Sequence, residues 1–430
     1  MNLNKSGAIL KFPKNFLWGA SSSAYQIEGG NINDWSEWEK KRANKQAREG
    51  GSAYHKPSDP ELQRKAKNPL NYICGRACDG YNRYEEDFDI AKSLNHNAHR
   101  FSIEWSRVEP EEGKFNKKEI EHYKKVVQAL HKRGIEPLVT LWHYTNPLWF
   151  TRAGGWAGKG SVDKFLRYSE RIVTELKDDV KYWITENEPE TVARNSYILG
   201  ARPPQKKSVI KGFRVLGALV EAHNRAYDLI HEIDGEAKVG CSESLVYFES
   251  YNNWPHNLLA KKILEYWRNE KFFPRIIEHS DFLGLQYYFH SCVRINPFKS
   301  WKGFQYNENK KLSDMGWEIY PEGIYYILKS LKKYNLPIII TENGIADYKD
   351  GYRADFIKDH LIWTHRAIEE GVKVKGYFYW SFLDNFEWDS GFWPRFGLVE
   401  VDYKSFERKI RPSAWIYAKI CKNNALRITN

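Results

Sequence analysis

Cysteine is scarce in this chain of 430 residues: Cys74, Cys78, Cys241, Cys292 and Cys421 form an odd, sparse set. Cys74 and Cys78 have three residues between them, and no second cysteine pair completes a zinc site. Reduced thiols in a cytoplasmic protein fit this pattern. Long apolar runs are missing too. Near the N-terminus the longest is Ala8-Ile9-Leu10, too short for the hydrophobic region of a signal peptide. No run approaches the ~20 residues of a membrane helix, so no membrane partner is expected. No His/Cys/carboxylate cluster has ligand spacing, so no metal is expected. A G-x-S-x-G elbow is absent, which leaves a Ser–His–Asp triad without support. So is a glycine-rich turn after a strand, which counts against a dinucleotide fold and its cofactor.

Charge of one sign is not concentrated either. The formal net charge is +11, but the positive residues are spread along the chain. The densest stretch is residues 39–69, with Lys40, Lys41, Arg42, Lys45, Arg48, Lys56, Arg64, Lys65 and Lys67 against four acids. It lacks interleaved aromatics and any zinc-finger or RNA-binding motif, so it reads as a solvated insertion and no nucleic-acid partner is expected.

What the chain does have is aromatic residues, 15% of the total with 17 tryptophans. It also has a regular alternation of helix and strand patterns. Asn116 with Glu119 resembles a capping box; Ile120, Tyr123, Val127 and Leu130 follow at helical spacing, and Gly134 ends the run. Pro137 to Trp142 then reads as a buried strand. Ser161 opens a second helix with Phe165, Tyr168, Ile172 and Leu176 on one face, before a strand over Val180 to Thr185. The spacing predicts helices over 212–233, 321–335 and 354–370, each followed by a strand: Lys238 to Ser242, Pro337 to Thr341, Val374 to Trp380. Phe16 to Gly19, Ala98 to Ile103 and Asp281 to Leu285 complete eight strands. Repeated units of this kind imply a parallel sheet, and eight over this length favour a single α/β domain closed as a (β/α)8 TIM barrel with loop insertions.

In such a barrel the chemistry is built at the carboxyl ends of the strands. Here nearly every end carries a polar or aromatic residue. Gln26 follows strand one, Arg100 lies on strand two, and His143 follows strand three. Asn187 and Glu188 follow strand four, Gln286, Tyr287 and Tyr288 strand six, Glu342 strand seven, and Trp380 ends strand eight. Any one of them has a plainer reading: His143 as a bonded core histidine, Arg100 as the partner of a buried acid, Trp380, Trp388 and Phe396 as packing. Convergence of all of them on one cavity is harder to dismiss. Two segments stand out, Thr185-Glu186-Asn187-Glu188-Pro189 and Thr341-Glu342-Asn343-Gly344, since two opposed carboxylates are the minimum equipment for breaking a glycosidic bond.

These motifs together resemble the family 1 glycoside hydrolases, the β-glucosidase/β-galactosidase family. The resemblance runs from about Phe12 to Trp415. It includes Phe16-Leu17-Trp18-Gly19-Ala20, Ser23-Ala24-Tyr25-Gln26-Ile27-Glu28-Gly29, Arg100-Phe101-Ser102-Ile103-Glu104-Trp105-Ser106-Arg107 and Thr140-Leu141-Trp142-His143. It also includes both glutamate segments, Met315 to Gly323, and Trp380-Ser381-Phe382-Leu383-Asp384-Asn385-Phe386-Glu387-Trp388.

The resemblance implies a retaining exo-β-glycosidase that removes terminal non-reducing β-D-glucosyl or β-D-galactosyl residues, fucosyl among the alternatives. It maps the acid/base to Glu188 and the nucleophile to Glu342. Asn187 would hold the sugar 2-hydroxyl, and Gln26, His143, Glu387 and Trp388 would grip the remaining hydroxyls. Trp380 would floor the sugar ring; Gln286 and Phe396 complete the expected substrate-binding set. Arg100 and Tyr288 would hydrogen-bond the nucleophile and lower its pKa. Retention requires the two carboxyl groups about 5–5.5 Å apart. Proton cycling between them needs no cofactor.

The chain departs from the family pattern at named positions. Gln286 stands where the family carries asparagine, moving the amide by about one C–C bond. Tyr144 stands where tryptophan often follows the histidine, and Asp79-Gly80-Tyr81 has lost a histidine. Residues 39–71 would rim the site mouth and set aglycone preference or homo-oligomer contacts, with loops at 150–160, 297–312 and 386–395 setting substrate length. Two rivals remain in view. One is a 6-phospho-β-glycosidase, against which Glu387-Trp388 argues; the other is a non-catalytic glycan-binding pseudoenzyme, against which the two retained glutamates argue.

Overall fold

The computed structural model describes residues 7–52, 55–57, 59–295, 309 and 311–428. Of the loop expected to matter at 297–312, only Asn309, Lys311 and Leu312 fall within them. Eight parallel strands close into one barrel in sequence order. The principal elements run β1 (Leu17–Ser21), α1 (Asp34–Glu49), α2 (Gly80–Ser93), β2 (Ala98–Ser102), α3 (Lys117–Lys132), β3 (Glu136–Trp142), α4 (Ser161–Leu176) and β4 (Tyr182–Asn187). They continue with α5 (Val209–Ile233), β5 (Lys238–Ser250), α6 (Pro255–Glu265), β6 (Phe282–Val293), α7 (Glu322–Leu331), β7 (Ile338–Asn343), α8 (Arg353–Glu369) and β8 (Val374–Trp380). The seam pairs β1 with β8, from Leu17 opposite Gly376 to Ser21 opposite Trp380. The strands are near-continuous apolar runs because both faces are covered, by helices outside and by the facing strands within.

The helices form where their apolar spacing predicts. α4 buries Phe165, Tyr168, Ile172 and Leu176 on one face, and α3 buries Ile120, Tyr123, Val127 and Leu130. The Asn116 side chain caps α3 by accepting from Lys118 N at 3.0 Å. The reciprocal half of the expected capping box is absent: Glu119 Oε2 is buried without a hydrogen-bond partner. Gly134 leaves α3 with φ +66°, a left-handed conformation that a side chain disfavours.

Ala98, Leu138, Ile184, Phe282, Ile339 and Phe378, from six different strands, meet in one buried cluster. Residues on six barrel strands can converge only in the interior, so this layer floors the cavity above it. β5 contributes Gly240 at this level, where a Cβ would lie 2.8 Å from the Phe282 ring. The missing side chain is what admits that ring.

Two features differ from the sequence reading. β5 and β6 run well past the expected Ser242 and Leu285, staying paired to Ser250 opposite Val293. Val246, Phe248 and Val293, with Ala260 and Leu264 of α6, give this extension a small core of its own. The segment 39–71 is solvated on one side only. Lys40, Lys41, Lys45 and Arg48 are exposed, while Ala43, Ala47, Leu62 and Ala66 are buried. The basic residues lie on the outer face of an amphipathic layer whose inner face packs on the rest of the chain. Its α1 begins at a reciprocal cap between Asn33 and Ser36.

Candidate active site

All eight strands present their carboxyl ends to one rim, and polar side chains from separate strands converge there. Arg100 on β2 is fully buried. Its guanidinium donates to Glu342 Oε1 at 2.5 Å, to Asn187 Oδ1 at 2.6 Å and to Thr140 Oγ1 at 3.1 Å. Gln286 Nε2 donates to the same two acceptors, Asn187 Oδ1 at 2.7 Å and Glu342 Oε1 at 2.8 Å. The longer side chain at this position therefore still reaches both partners. Tyr288 donates to the other carboxyl oxygen, Glu342 Oε2, at 2.8 Å.

Asn187 accepts from both Arg100 and Gln286 through one oxygen. That fixes its amide and leaves the NH2 group free to donate to a ligand. Across from Glu342, Glu188 accepts a hydrogen bond from the Tyr144 hydroxyl at Oε2. Tyr144 (φ +74°), Glu188 (φ +48°) and Trp388 (φ +47°) all sit in the left-handed region. Such strain costs about 1–3 kcal/mol per residue and concentrates at functional sites.

The expected electrostatics of Glu342 need correcting. Arg100 and Tyr288 do pull its carboxyl down, but burial outweighs them and pushes it up to about 7, with the Glu188 charge adding to the rise. Glu387 is pushed up to about 8, again chiefly by burial, against hydrogen bonding from Asn385 and the charge of Arg202. His143 is held well below the usual imidazole range by burial and by the Arg100 charge. It is a neutral ring at pH 7, and its Nδ1 is buried without a partner.

The remaining candidates form the far wall. The His143 ring lies nearly parallel to Trp380 (centroids 6.2 Å apart, 23°) and to Trp388 (5.9 Å, 18°). Gln26 is committed at both ends: its oxygen accepts from Ser23 Oγ at 2.7 Å, and its nitrogen donates to the Phe386 carbonyl at 2.9 Å and to Glu387 Oε2 at 3.4 Å. Phe396 has no exposed surface and packs with Trp380, Trp393, Met315, Leu62 and Ala66. It meets the site through Trp380, and the inner face of the 39–71 layer supports that same cluster. Among the described residues no group of three His, Cys, Asp or Glu side chains is placed to hold a metal, and no helix is long and apolar enough to cross a membrane.

Two contacts escaped the sequence reading. Tyr144 was noted only as a smaller aromatic, though its place directly after His143 at the end of β3 was signal enough to put it in the site. Arg202 gave no local signal. It holds Asp389 Oδ1 at 3.0 and 2.9 Å through Nε and Nη2, and its charge reaches both Tyr144 and Glu188.

A (β/α)8 barrel whose rim carries two glutamates on the fourth and seventh strands, amid amides and indoles, is the frame of a glycoside hydrolase. The comparisons agree. The model of Glycosyl hydrolase family 1 matches residues 9–278 and 250–426. Beta-glucosidase A of Thermotoga maritima is 35% identical over 460 aligned positions, covering 97% of this chain and 99% of that protein. A 6-phospho-beta-glucosidase of Bacillus subtilis is 29% identical, with 96% and 98% covered. Among solved structures, a beta-glycosidase from Pyrococcus horikoshii superposes with a TM-score of 0.86 at 37% identity, over 98% of this chain and 97% of that one. The family 1 β-glucosidase from Thermotoga maritima gives 0.86 at 32% identity, over 98% and 100%. This chain belongs to glycosyl hydrolase family 1.

Proposed function

We propose that this protein is a retaining exo-β-glycosidase acting on terminal non-reducing β-D-glucosyl or β-D-galactosyl residues. The observation that carries the reading is the unequal environment of the two glutamates. Glu342 receives three donors, from Arg100, Gln286 and Tyr288, and donors favour a carboxylate. Those donors offset part of the burial that lifts Glu342 to about 7, and we assign the negative charge of the pair to Glu342 and the acid role to Glu188.

In the first step a Glu342 oxygen bonds to the anomeric carbon as the glycosidic C–O bond breaks. The bonding electrons go to the leaving oxygen, which takes the proton from Glu188. Glu342 is then a neutral ester, and its repulsion of a Glu188 carboxylate is gone. Glu188 now takes a proton from water, the water oxygen replaces Glu342 at the anomeric carbon, and the cycle closes. Arg100 and Tyr288 stabilise the nucleophile before attack and as it departs. The free amide of Asn187 donates to the 2-hydroxyl. Glu387, His143, Gln26 and the Trp388 indole bind the other hydroxyls, with Gln26 and Glu387 exchanging their mutual contact for the sugar. Trp380 supports the ring face, and Phe396 supports Trp380.

A 6-phosphorylated sugar would bring a dianion to the carboxyl of Glu387, where phosphate recognition calls for cations, and this argues for the unphosphorylated substrate. The test is turnover of aryl β-glucosides and β-galactosides by the wild type and two variants. Glu342→Ala loses several orders of magnitude because the covalent step disappears. Glu188→Gln loses far more on poor leaving groups than on activated ones. Full activity of Glu342→Ala, or preference for the 6-phosphate, rejects the reading.

Two coarser expectations take the form of proposals. The free, buried Cys74, Cys78, Cys241 and Cys421 support a cytoplasmic location. Val209, Ile210 and Phe213 on α5, with Trp254, Leu258, Leu259, Ile263, Tyr266 and Trp267 along α6 and its continuation, are exposed. The two helices are joined by a Phe213–Trp267 ring contact at 5.4 Å. These side chains form one exposed apolar face across the two helices, larger than scattered single surface residues, and a second copy is the occupant we assign. A single-chain mass in sedimentation rejects this.

A further inference from the structure

We infer that Tyr144 is the positioning residue of the acid/base: its hydroxyl fixes which oxygen of Glu188 carries the proton and stabilises the carboxylate left when that proton is given up. The inference rests on the glycosidase reading above and deepens it.

The geometry is asymmetric. The Tyr144 hydroxyl meets Oε2 of Glu188, and burial with the nearby Glu188 charge drives the phenol well above its usual range, so it stays protonated and donates. An oxygen that accepts this bond is not the one that carries the acid proton. The proton therefore sits on Oε1, and Oε1 is the atom presented to the leaving oxygen. In the step itself the Oε1–H bond breaks, its electron pair stays on Glu188, and the proton passes to the oxygen released from the anomeric carbon. Negative charge appears on Glu188 at that moment. A donor already on Oε2 stabilises it more than it stabilised the neutral acid, which is the condition for lowering the barrier.

The phenol is held for this task. Its ring packs against Trp388 at 4.7 Å and His143 at 5.4 Å, and Arg202 lies 5.9 Å from its centroid. Its own carbonyl accepts from Asn146 Nδ2 at 3.1 Å, and its backbone is in the left-handed region. An aromatic that served only to fill space would not need its hydroxyl on the catalytic carboxyl. The charged and titratable groups facing the Tyr144–Glu188 pair are Arg202, Glu342, Glu243 and Tyr288, with Asp389 bound behind Arg202. All of them stay in place when the phenol oxygen alone is removed.

The test compares wild type with Tyr144→Phe on an alkyl β-glucoside and on a dinitrophenyl β-glucoside across pH. Loss of one hydrogen bond to a charged group lowers kcat/KM for the alkyl substrate by about tenfold or more. The dinitrophenyl substrate, whose glycosylation needs no proton, changes by about twofold or less. The alkaline limb of the profile moves to higher pH, because the carboxylate has lost a donor. Replacing Tyr144 with 3-fluorotyrosine, a nearly isosteric and stronger donor, moves that limb the other way, which keeps the test decisive if Tyr144→Phe folds poorly. Equal losses on both substrates, or unmoved limbs in both variants, overturn the assignment while leaving the glycosidase intact. Wild type without turnover on either substrate overturns the underlying reading and the assignment with it.

Discussion

Arg100 and Glu342 face each other at 2.5 Å with almost no solvent on either side chain. The same guanidinium ties β7 to β4 through Asn187 and to β3 through Thr140. One rigid fork thus sets Glu342, the amide next to Glu188, and the spacing of the strands that carry them. This is a use of arginine that lysine cannot copy, since an ammonium offers no planar pair of donors.

Arg100→Lys is accordingly expected to fold and to lose about 100-fold or more in kcat, with a smaller change in KM, in steady-state assays on an aryl β-glucoside. Arg100→Met leaves buried Glu342 without its cation. Breaking a buried pair from one side costs about 3–5 kcal/mol, so its midpoint in thermal unfolding falls further than that of Arg100→Lys. A lysine variant of wild-type activity contradicts the bridging role.

The carboxyl pair makes a second prediction. In the wild type the profile of kcat/KM against pH is bell-shaped, and its two apparent values belong to the pair. The Glu188 charge is one of the causes that raise Glu342. That charge is absent while Glu188 holds its proton, and glutamine is equally neutral, so in Glu188→Gln the acid limb keeps its place and the alkaline limb disappears. The measurement is kcat/KM for a dinitrophenyl glycoside from about pH 4 to 9. An alkaline limb that persists in Glu188→Gln would show that this limb does not report Glu188.

How much of this was legible beforehand follows from range in sequence. The barrel was readable because each strand is a local apolar run, and the glutamates were readable because each ends such a run. The Ser250 end of β5 was not, since Val246 and Phe248 pack against α6 and β6, partners distant in sequence. The inner face of the 39–71 layer was hidden for the same reason: Leu62 and Ala66 are buried by Met315, Trp393 and Phe396, more than 240 residues away. The sign of the Glu342 shift was missed because sequence named its hydrogen-bond donors but not the depth of its burial, and burial was the larger effect.

Burial also couples Glu387 to stability. Its carboxyl rises from an ordinary 4.5 to about 8 on folding. The folded state therefore binds the proton more tightly than the unfolded chain does. The stabilisation is fully present below about pH 4.5 and is lost as pH rises through 8. Glu387→Gln removes this dependence. Relative to wild type, the variant's thermal midpoint improves steadily between about pH 5 and pH 8, while its affinity for glycoside falls. A pH-independent difference between the two proteins would mean that Glu387 titrates normally in the fold.

Gln286 supplies the last prediction. Its Nε2 is shared between Asn187 Oδ1 and Glu342 Oε1 at 2.7 and 2.8 Å, and its Oε1 is buried without a partner. Gln286→Asn withdraws the amide by one methylene, about 1.5 Å. At that distance one side chain cannot keep both contacts. Neither acceptor is left bare, because Arg100 still donates to each. The fold is therefore expected to hold, with a thermal midpoint within a few degrees of wild type. What changes is the orientation of the Asn187 amide, which only Arg100 then fixes. The 2-hydroxyl contact proposed for Asn187 strengthens in the transition state, so the loss falls on kcat, by about 3–10-fold for a hydrogen bond worth ~1 kcal/mol. A 2-deoxyglycoside isolates the effect. On that substrate wild type and Gln286→Asn should differ little, because the hydroxyl that reads the amide is absent. If the variant is equally impaired with and without the 2-hydroxyl, Gln286 acts through Glu342 instead, and the bridge to Asn187 is structural only.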